Sequence, residues 1–185
     1  MSVKVTLNKY EVEICEIIAE KRRSTNRQVG ILEPNLSGNN EDYSNLEIAM
    51  EREIDGVGAE FAFAKACNLY PEFNCEPRKG GSELVGRTRA RIDVKQTPYP
   101  YGKLIAHSEK DIKKTDTYVL VIGKMPTFTI IGWCYSFDLV KRENWDTSLP
   151  KPAYSLTQDK LRKFGEKHVF KELLNDSRDW RTINI

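Results

Sequence analysis

Hydrophobic positions along the chain change period several times, and each change marks a predicted element. Over Leu7 to Arg23 the apolar residues recur at helical spacing. Leu7, Tyr10, Ile14, Ile17 and Ile18 predict the buried stripe of an amphipathic helix. Asn8 followed by Glu11 fits a capping box, and Lys21, Arg22 and Arg23 suit the negative end of the helix dipole. That basic cluster reads either as an ordinary helix ending or as a phosphate contact. Ser24 to Asn45 is polar and broken by Glu33-Pro34 and by Ser37 to Asn40, which predicts a long, flexible loop. A second helix is predicted from Leu46 to near Tyr70, ended by Pro71. Within it Gly58, Ala62 and Ala66 form a row of small residues that permits close approach, with Phe61, Phe63 and Leu69 around it. Glu60 falls at the edge of this packed face. It is either exposed at the border, or held there by an ion pair or a bound cation.

Pro77, Gly80 and Gly81 then mark a turn, and the period becomes two. Ser82 to Val85 predicts one strand and Arg87 to Gln96 another, with Gly86 as hairpin or bulge. Ile92 and Val94 face the core. Arg87, Arg89, Arg91, Asp93 and Lys95 share the other face, which is either an ordinary solvated surface or a place for a metal ion beside a phosphate. Pro98 to Gly102 breaks the sheet. Leu104 to Thr115 is a basic connection, read as a short helix, with Lys103, Lys110, Lys113 and Lys114 along it. Thr117 to Ile122 is a continuous run of β-formers, as in a central strand buried on both faces. Thr127 to Cys134 predicts the next strand and Ser136 to Arg142 a short helix. Pro150 and Pro152 keep the following chain extended, and Leu156 to Leu174 reads as helical, interrupted at Gly165.

This order implies an α/β (α+β) fold, a small mixed sheet flanked by helices with a helical C-terminal extension. A chain of 185 residues fits one domain. Its core would span about 46–142, with helix 7–23 packed on it, a mobile loop 24–45 and an extension over 143–185. Apolar content of 39% and charged content of 30% argue against global disorder. With 29 basic and 27 acidic side chains, any polyanion would have to be met by locally concentrated charge. No apolar run reaches membrane length and Met1 begins no signal-like segment, so a cytoplasmic protein is expected. Cys15, Cys67, Cys75 and Cys134 form no closely spaced pair, and His107 and His168 no ligand set. A metal site here would be built from oxygen.

Glu60 on a helix, Glu83 opening a strand, and Asp93-Val94-Lys95 ten residues later resemble the PD-(D/E)XK nuclease superfamily. The stretches Gly56 to Glu60 and Ile92 to Thr97, with Asp116, the Tyr118 to Val121 run and Gly132-Trp133, look like its phage and prokaryotic branch. Glu83 stands where that family more often carries aspartate. The resemblance spans about Ile54 to Val140 and implies a restriction-endonuclease-like core. It implies a nuclease hydrolysing DNA phosphodiesters, an endonuclease in preference to an exonuclease, in the cytoplasm or in a host's if phage-encoded. Mg²⁺ or Mn²⁺ would be held by Glu60, Glu83, Asp93 and the Val94 carbonyl, with Lys95 as the catalytic lysine. Arg87, Arg89 and Arg91 would contact phosphates. Lys103, Lys113 and Lys114 either extend that track or form a solvated face. By analogy, the helical tail is a candidate homodimer interface. The alternatives are an inactive nuclease-like module binding nucleic acid or a protein, and a small α/β domain with no nucleic-acid role.

Overall fold

The computed structural model describes residues 2–29, 46–76, 84–85, 91–107 and 115–163. Glu83, Arg87, Arg89, Lys113, Lys114 and the predicted tail beyond 163 lie outside the described residues. Strand β1 (Val3–Thr6) leads into helix α1 (Lys9–Gln28). The predicted capping box is present. Asn8 Oδ1 accepts the backbone N–H groups of Tyr10 and Glu11, each at 3.0 Å, and the Asn8 N–H donates to Glu11 Oε2 at 2.6 Å. The helix runs on through Gln28, into the stretch read as loop. Its inward face also differs from the expected one. Cys15, Ile18, Ala19, Arg22 and Arg23 are buried, whereas Tyr10, Ile14 and Ile17 are exposed. The seam is made of small side chains and a paired arginine, not of the largest aliphatics.

Helix α2 (Leu46–Cys67) packs along α1. It stops short of Pro71, because Asn68 takes the left-handed conformation (φ 53°) while the Leu69 N–H closes onto the Ala64 carbonyl at 2.8 Å. Gly58 on this helix faces Met125 and Phe128. A Cβ there would sit 2.5 Å from Met125 Cε and 2.8 Å from Phe128 Cζ, so the anticipated close approach is real at Gly58, whereas Ala66 at the end of the small-residue row is exposed.

The remaining elements are β2 (Leu84–Val85), β3 (Arg91–Thr97), β4 (Leu104–Ala106), β5 (Thr117–Lys124), β6 (Thr127–Tyr135), α3 (Ser136–Leu139), β7 (Trp145–Asp146), β8 (Ala153–Leu156) and β9 (Arg162–Lys163). Two segments read as helical are not helical where they are described, over 104–107 and 157–163. Leu104–Ala106 is a strand with alternating burial, and the described part after Leu156 is a 3-10 turn over Gln158–Lys160 followed by β9. The main sheet has the order β1-β6-β5-β3-β2, with β9 also pairing β6. Its neighbours are antiparallel except β3 and β5, which are parallel. A smaller antiparallel sheet, β4-β8-β7, accompanies it. The architecture is therefore mixed α and β around a mixed sheet.

Each face of the main sheet has its own apolar core. Ile92, Val94, Val119 and Val121 pack with α1 and α2, while Tyr118 and Leu120 pack with Leu104, Ala106, Leu139, Tyr154 and Leu156. β5 is thus covered on both sides, as its unbroken β-forming run predicts, and Thr117–Val121 are all buried. Among the described residues, no helix is long and apolar enough to cross a membrane.

Candidate active site

Strand β3 alternates as its period requires. Ile92 and Val94 enter the helical core, so Asp93 and Lys95 project from the opposite face. In the parallel register Asp93 lies beside Tyr118 and Lys95 beside Leu120, both members of the second core. Asp93 is consequently only 7% exposed. At Asp93 this face is not the solvated surface that the charge pattern permitted. Lys95 Nζ stands 2.9 Å from Asp93 Oδ2 and 5.8 Å from the Tyr118 ring centroid, with its side chain 41% exposed. A buried carboxylate and the ammonium of a partly exposed lysine are thereby fixed side by side. Gln96 faces the other way, as expected, and donates to the Gly123 carbonyl at 2.7 Å.

Glu60 is paired. Arg22 Nη1 donates to both of its carboxylate oxygens, at 3.1 and 3.0 Å, with the two side chains 6% and 4% exposed. The Arg22 Nε and Nη2 groups donate to the carbonyls of Asn74 and Glu72 at 3.1 and 3.3 Å. Of the readings open for a carboxylate on this helix edge, the ion pair is the one observed. Glu60 is on α2, which packs on one side of the sheet, and Asp93 projects from β3 toward the other. Among the described residues no three His, Cys, Asp or Glu side chains group as a metal-binding set.

Two expected phosphate contacts are engaged within the fold. The Arg91 guanidinium grips Asp116 through Nε at 3.2 Å and Nη2 at 2.8 Å, and the Arg91 N–H donates to the same carboxylate at 2.8 Å. The hydrogen bond to Asp116 pushes the Arg91 pKa up. With the Asp116 N–H donating to the Arg91 carbonyl at 2.9 Å, this clasp aligns the starts of β3 and β5. Lys103 reaches Asp146 at 2.9 Å. Asp146 also accepts the Ser148 hydroxyl and N–H and the Ser155 hydroxyl, which together hold it well below the usual carboxylate range. Both cations are held by bidentate or multiply bonded carboxylates, so reaching a phosphate would cost those bonds. Arg87, Arg89, Lys113, Lys114 and the ligand candidate Glu83 lie outside the described residues.

Sequence reasoning named three participants without finding their roles. Arg22 was legible only as part of a basic helix ending, although it lies four residues after Ile18 on the buried stripe. Asp116 and Tyr118 gain their roles through the β3–β5 register, which no local pattern encodes. A cavity of about 440 Å³ opens between α1 and Met50, lined by Glu20, Arg23, Ser24, Arg27 and Gln28, and it includes none of the predicted site residues. Burial pushes the Cys15 and Cys134 thiols up to about 12, so neither is a ready nucleophile. Comparison with family models, with curated proteins and with solved structures finds no match.

Proposed function

We propose that this chain is a metal-dependent nuclease hydrolysing DNA phosphodiesters, built on a restriction-endonuclease-like core. The observation that carries the reading is the Asp93–Lys95 pair on one face of β3, 2.9 Å apart, with the carboxylate buried and the lysine side chain partly exposed. The strand order supports it. β3 runs antiparallel to β2 and parallel to β5, so a crossover follows the acid-x-lysine strand.

The donor chemistry suits a hard cation, because the groups available on β3 are a carboxylate and backbone carbonyls. Mg²⁺ or Mn²⁺, held by Asp93 and the Val94 carbonyl with Glu83, would lower the pKa of a bound water and offset phosphate charge. The proposal requires Glu83 to reach the same ion as Asp93. Lys95 places a positive charge where the phosphate gains negative charge, and Asp93 holds that ammonium in position. Glu60 acts at one remove, fixing α1, α2 and the Glu72 to Asn74 segment through Arg22. Arg87, Arg89, Lys113 and Lys114 remain the proposed phosphate contacts.

Incubation with plasmid, linear duplex and single-stranded DNA, with Mg²⁺, Mn²⁺ or EDTA, tests the reading. Asp93→Asn and Lys95→Ala should each lower the cleavage rate by at least about a hundredfold. Absence of metal-dependent cleavage on any DNA or RNA would overturn it, and cleavage surviving both substitutions would move the site elsewhere. A non-cleaving, nuclease-like binding module is the second reading. It is favoured by the engagement of both Glu60 oxygens with Arg22, and the same assay separates the two.

A further inference from the structure

The turn that follows β3 has a composition that the proposed chemistry does not use. Pro98, Tyr99, Pro100, Tyr101 and Gly102 carry no charge, and both tyrosines point outward, Tyr99 at 69% exposure and Tyr101 at 94%. Isolated exposed aromatics are common on protein surfaces and need no explanation. Some exposed rings on this molecule lean on neighbours, although Tyr10 on α1, at 73% exposure, leans on no ring among the described residues. Tyr70 packs on Phe73 at 5.3 Å and Trp145 on Tyr154 at 4.8 Å between ring centroids. Tyr99 and Tyr101 lean on no ring among the described residues.

Their mount, by contrast, is fixed at several points. The Gln158 side-chain amide donates to the carbonyls of Pro100 at 2.7 Å and Gly102 at 3.1 Å. The Gly102 N–H closes the turn onto the Tyr99 carbonyl at 3.0 Å. Gly102 lies so close to Thr97 that a Cβ would overlap the Thr97 side chain. The two prolines fix their own φ angles. A rigid backbone presenting two rings, each with only two side-chain torsions, loses little entropy when it binds something flat.

The position ties the turn to the proposed site. Thr97, the last residue of β3, lies two residues after Lys95, a separation of about 7 Å along a strand. From Gly102 the chain enters β4, whose Leu104 and Ala106 pack with Tyr118, the neighbour of Asp93. The turn therefore leads onto the same side of the main sheet as Asp93 and Lys95. We infer that Tyr99 and Tyr101 form a stacking platform for unpaired bases, so that the strand engaged at Asp93 and Lys95 is single-stranded on this side. This rests on the nuclease reading and extends it to a substrate class. An uncharged turn has no grip on phosphates. In a duplex the faces of internal bases are covered by their neighbours, whereas in a single strand each base has a face to offer to an aromatic ring.

The test is fluorescence anisotropy with labelled oligo-dT and a blunt duplex of equal length, using the full chain carrying Asp93→Asn in EDTA, so that nothing is cut. In that background Tyr99→Ala and Tyr101→Ala should each weaken oligo-dT binding by about five- to a hundredfold and leave duplex binding within about twofold. The corresponding Phe variants should retain binding, because stacking needs the ring and not the hydroxyl. Unchanged oligo-dT affinity in both Ala variants would overturn the platform, as would equal losses on duplex. Failure of the parent to bind any nucleic acid would overturn it too and point to a protein partner. The two proposals fail separately. If the unsubstituted chain never cleaves with Mg²⁺ or Mn²⁺ but the Asp93→Asn background shows the tyrosine-dependent preference, the platform stands and the nuclease falls; an unsubstituted chain that cleaves, with no such preference in the binding assay, does the reverse.

Discussion

Taking away the Arg22 guanidinium would leave Glu60, 4% exposed, between two helices without the cation that faces both its oxygens. Breaking a buried pair from one side costs about 3–5 kcal/mol, because the surviving charge keeps its desolvation penalty. Arg22→Met should therefore lower the urea midpoint by an amount corresponding to about 3–5 kcal/mol. Arg22→Met combined with Glu60→Leu should recover most of that loss, since replacing both charges with apolar groups removes the penalty itself. A double variant no more stable than the single one would show that the carbonyl bonds to Asn74 and Glu72 matter more than the charge. At this scale the sequence reveals residue types better than partners. Glu60 stood out as a carboxylate needing company, but nothing near it in the chain names Arg22, 38 positions away. The same holds for Arg91, which looks like a phosphate ligand until Asp116 is brought beside it.

Among the elements, α2 shows how competing terms are decided by magnitude. Alanine is a better helix former than glycine by about 1 kcal/mol, so propensity alone favours Gly58→Ala. Against this stands the buried Phe128 ring, with its Cζ 2.8 Å from where the new Cβ would lie. Overpacking of this kind costs about 1–3 kcal/mol. Gly58→Ala is expected to be destabilising by about 1 kcal/mol net, read as a lower denaturation midpoint with an unchanged slope. A more stable variant would mean that Met125 and Phe128 yield freely. Helix and strand types were legible wherever periodicity was strong, as in α2, β3, β5 and β6. They failed where the signal was a few leucines. Leu104, Leu156 and Leu161 all enter one core, but they do so from strands and turns, and periodicity over so few residues cannot distinguish those from helix. In α1 the stripe was misread because Cys15 and Ala19, not Tyr10 and Ile17, fit the narrow seam.

For the whole molecule, stability should respond to pH through Asp55, which joins α2 to the β5–β6 connection by accepting the Met125 N–H at 2.8 Å. Burial raises its pKa above the ordinary 3.8, and the Met125 hydrogen bond offsets only part of that. The folded chain thus binds this proton more tightly than the unfolded chain. The resulting stabilisation is full below pH 3.8 and is lost as pH rises through the raised native value. Asp55→Asn keeps an oxygen for Met125 without a charge. It should equal or exceed the parent in thermal midpoint at pH 7, and its relative advantage should shrink as pH falls toward 3.8. An advantage that grows on acidification would refute this. The fold class was legible at this scale from element order, whereas the split into two sheets with a core on each face was not. That division depends on where β4 and β8 meet, through the pairing of Leu104 with Leu156, a long-range event.

The pairing of β1 with β6 has a consequence for how the chain is made. Thr6 and Thr127, whose hydroxyls meet at 3.2 Å, are 121 positions apart. On a ribosome, β1, α1 and α2 emerge long before the strands that cover them, and the first strand waits with an open edge for a partner encoded late. Contacts of such separation slow folding, and an unpaired edge beside uncovered apolar helices is a site for association with other chains. Until β6 is released the first strand has no neighbour in its sheet, so β1 is among the last parts to be secured.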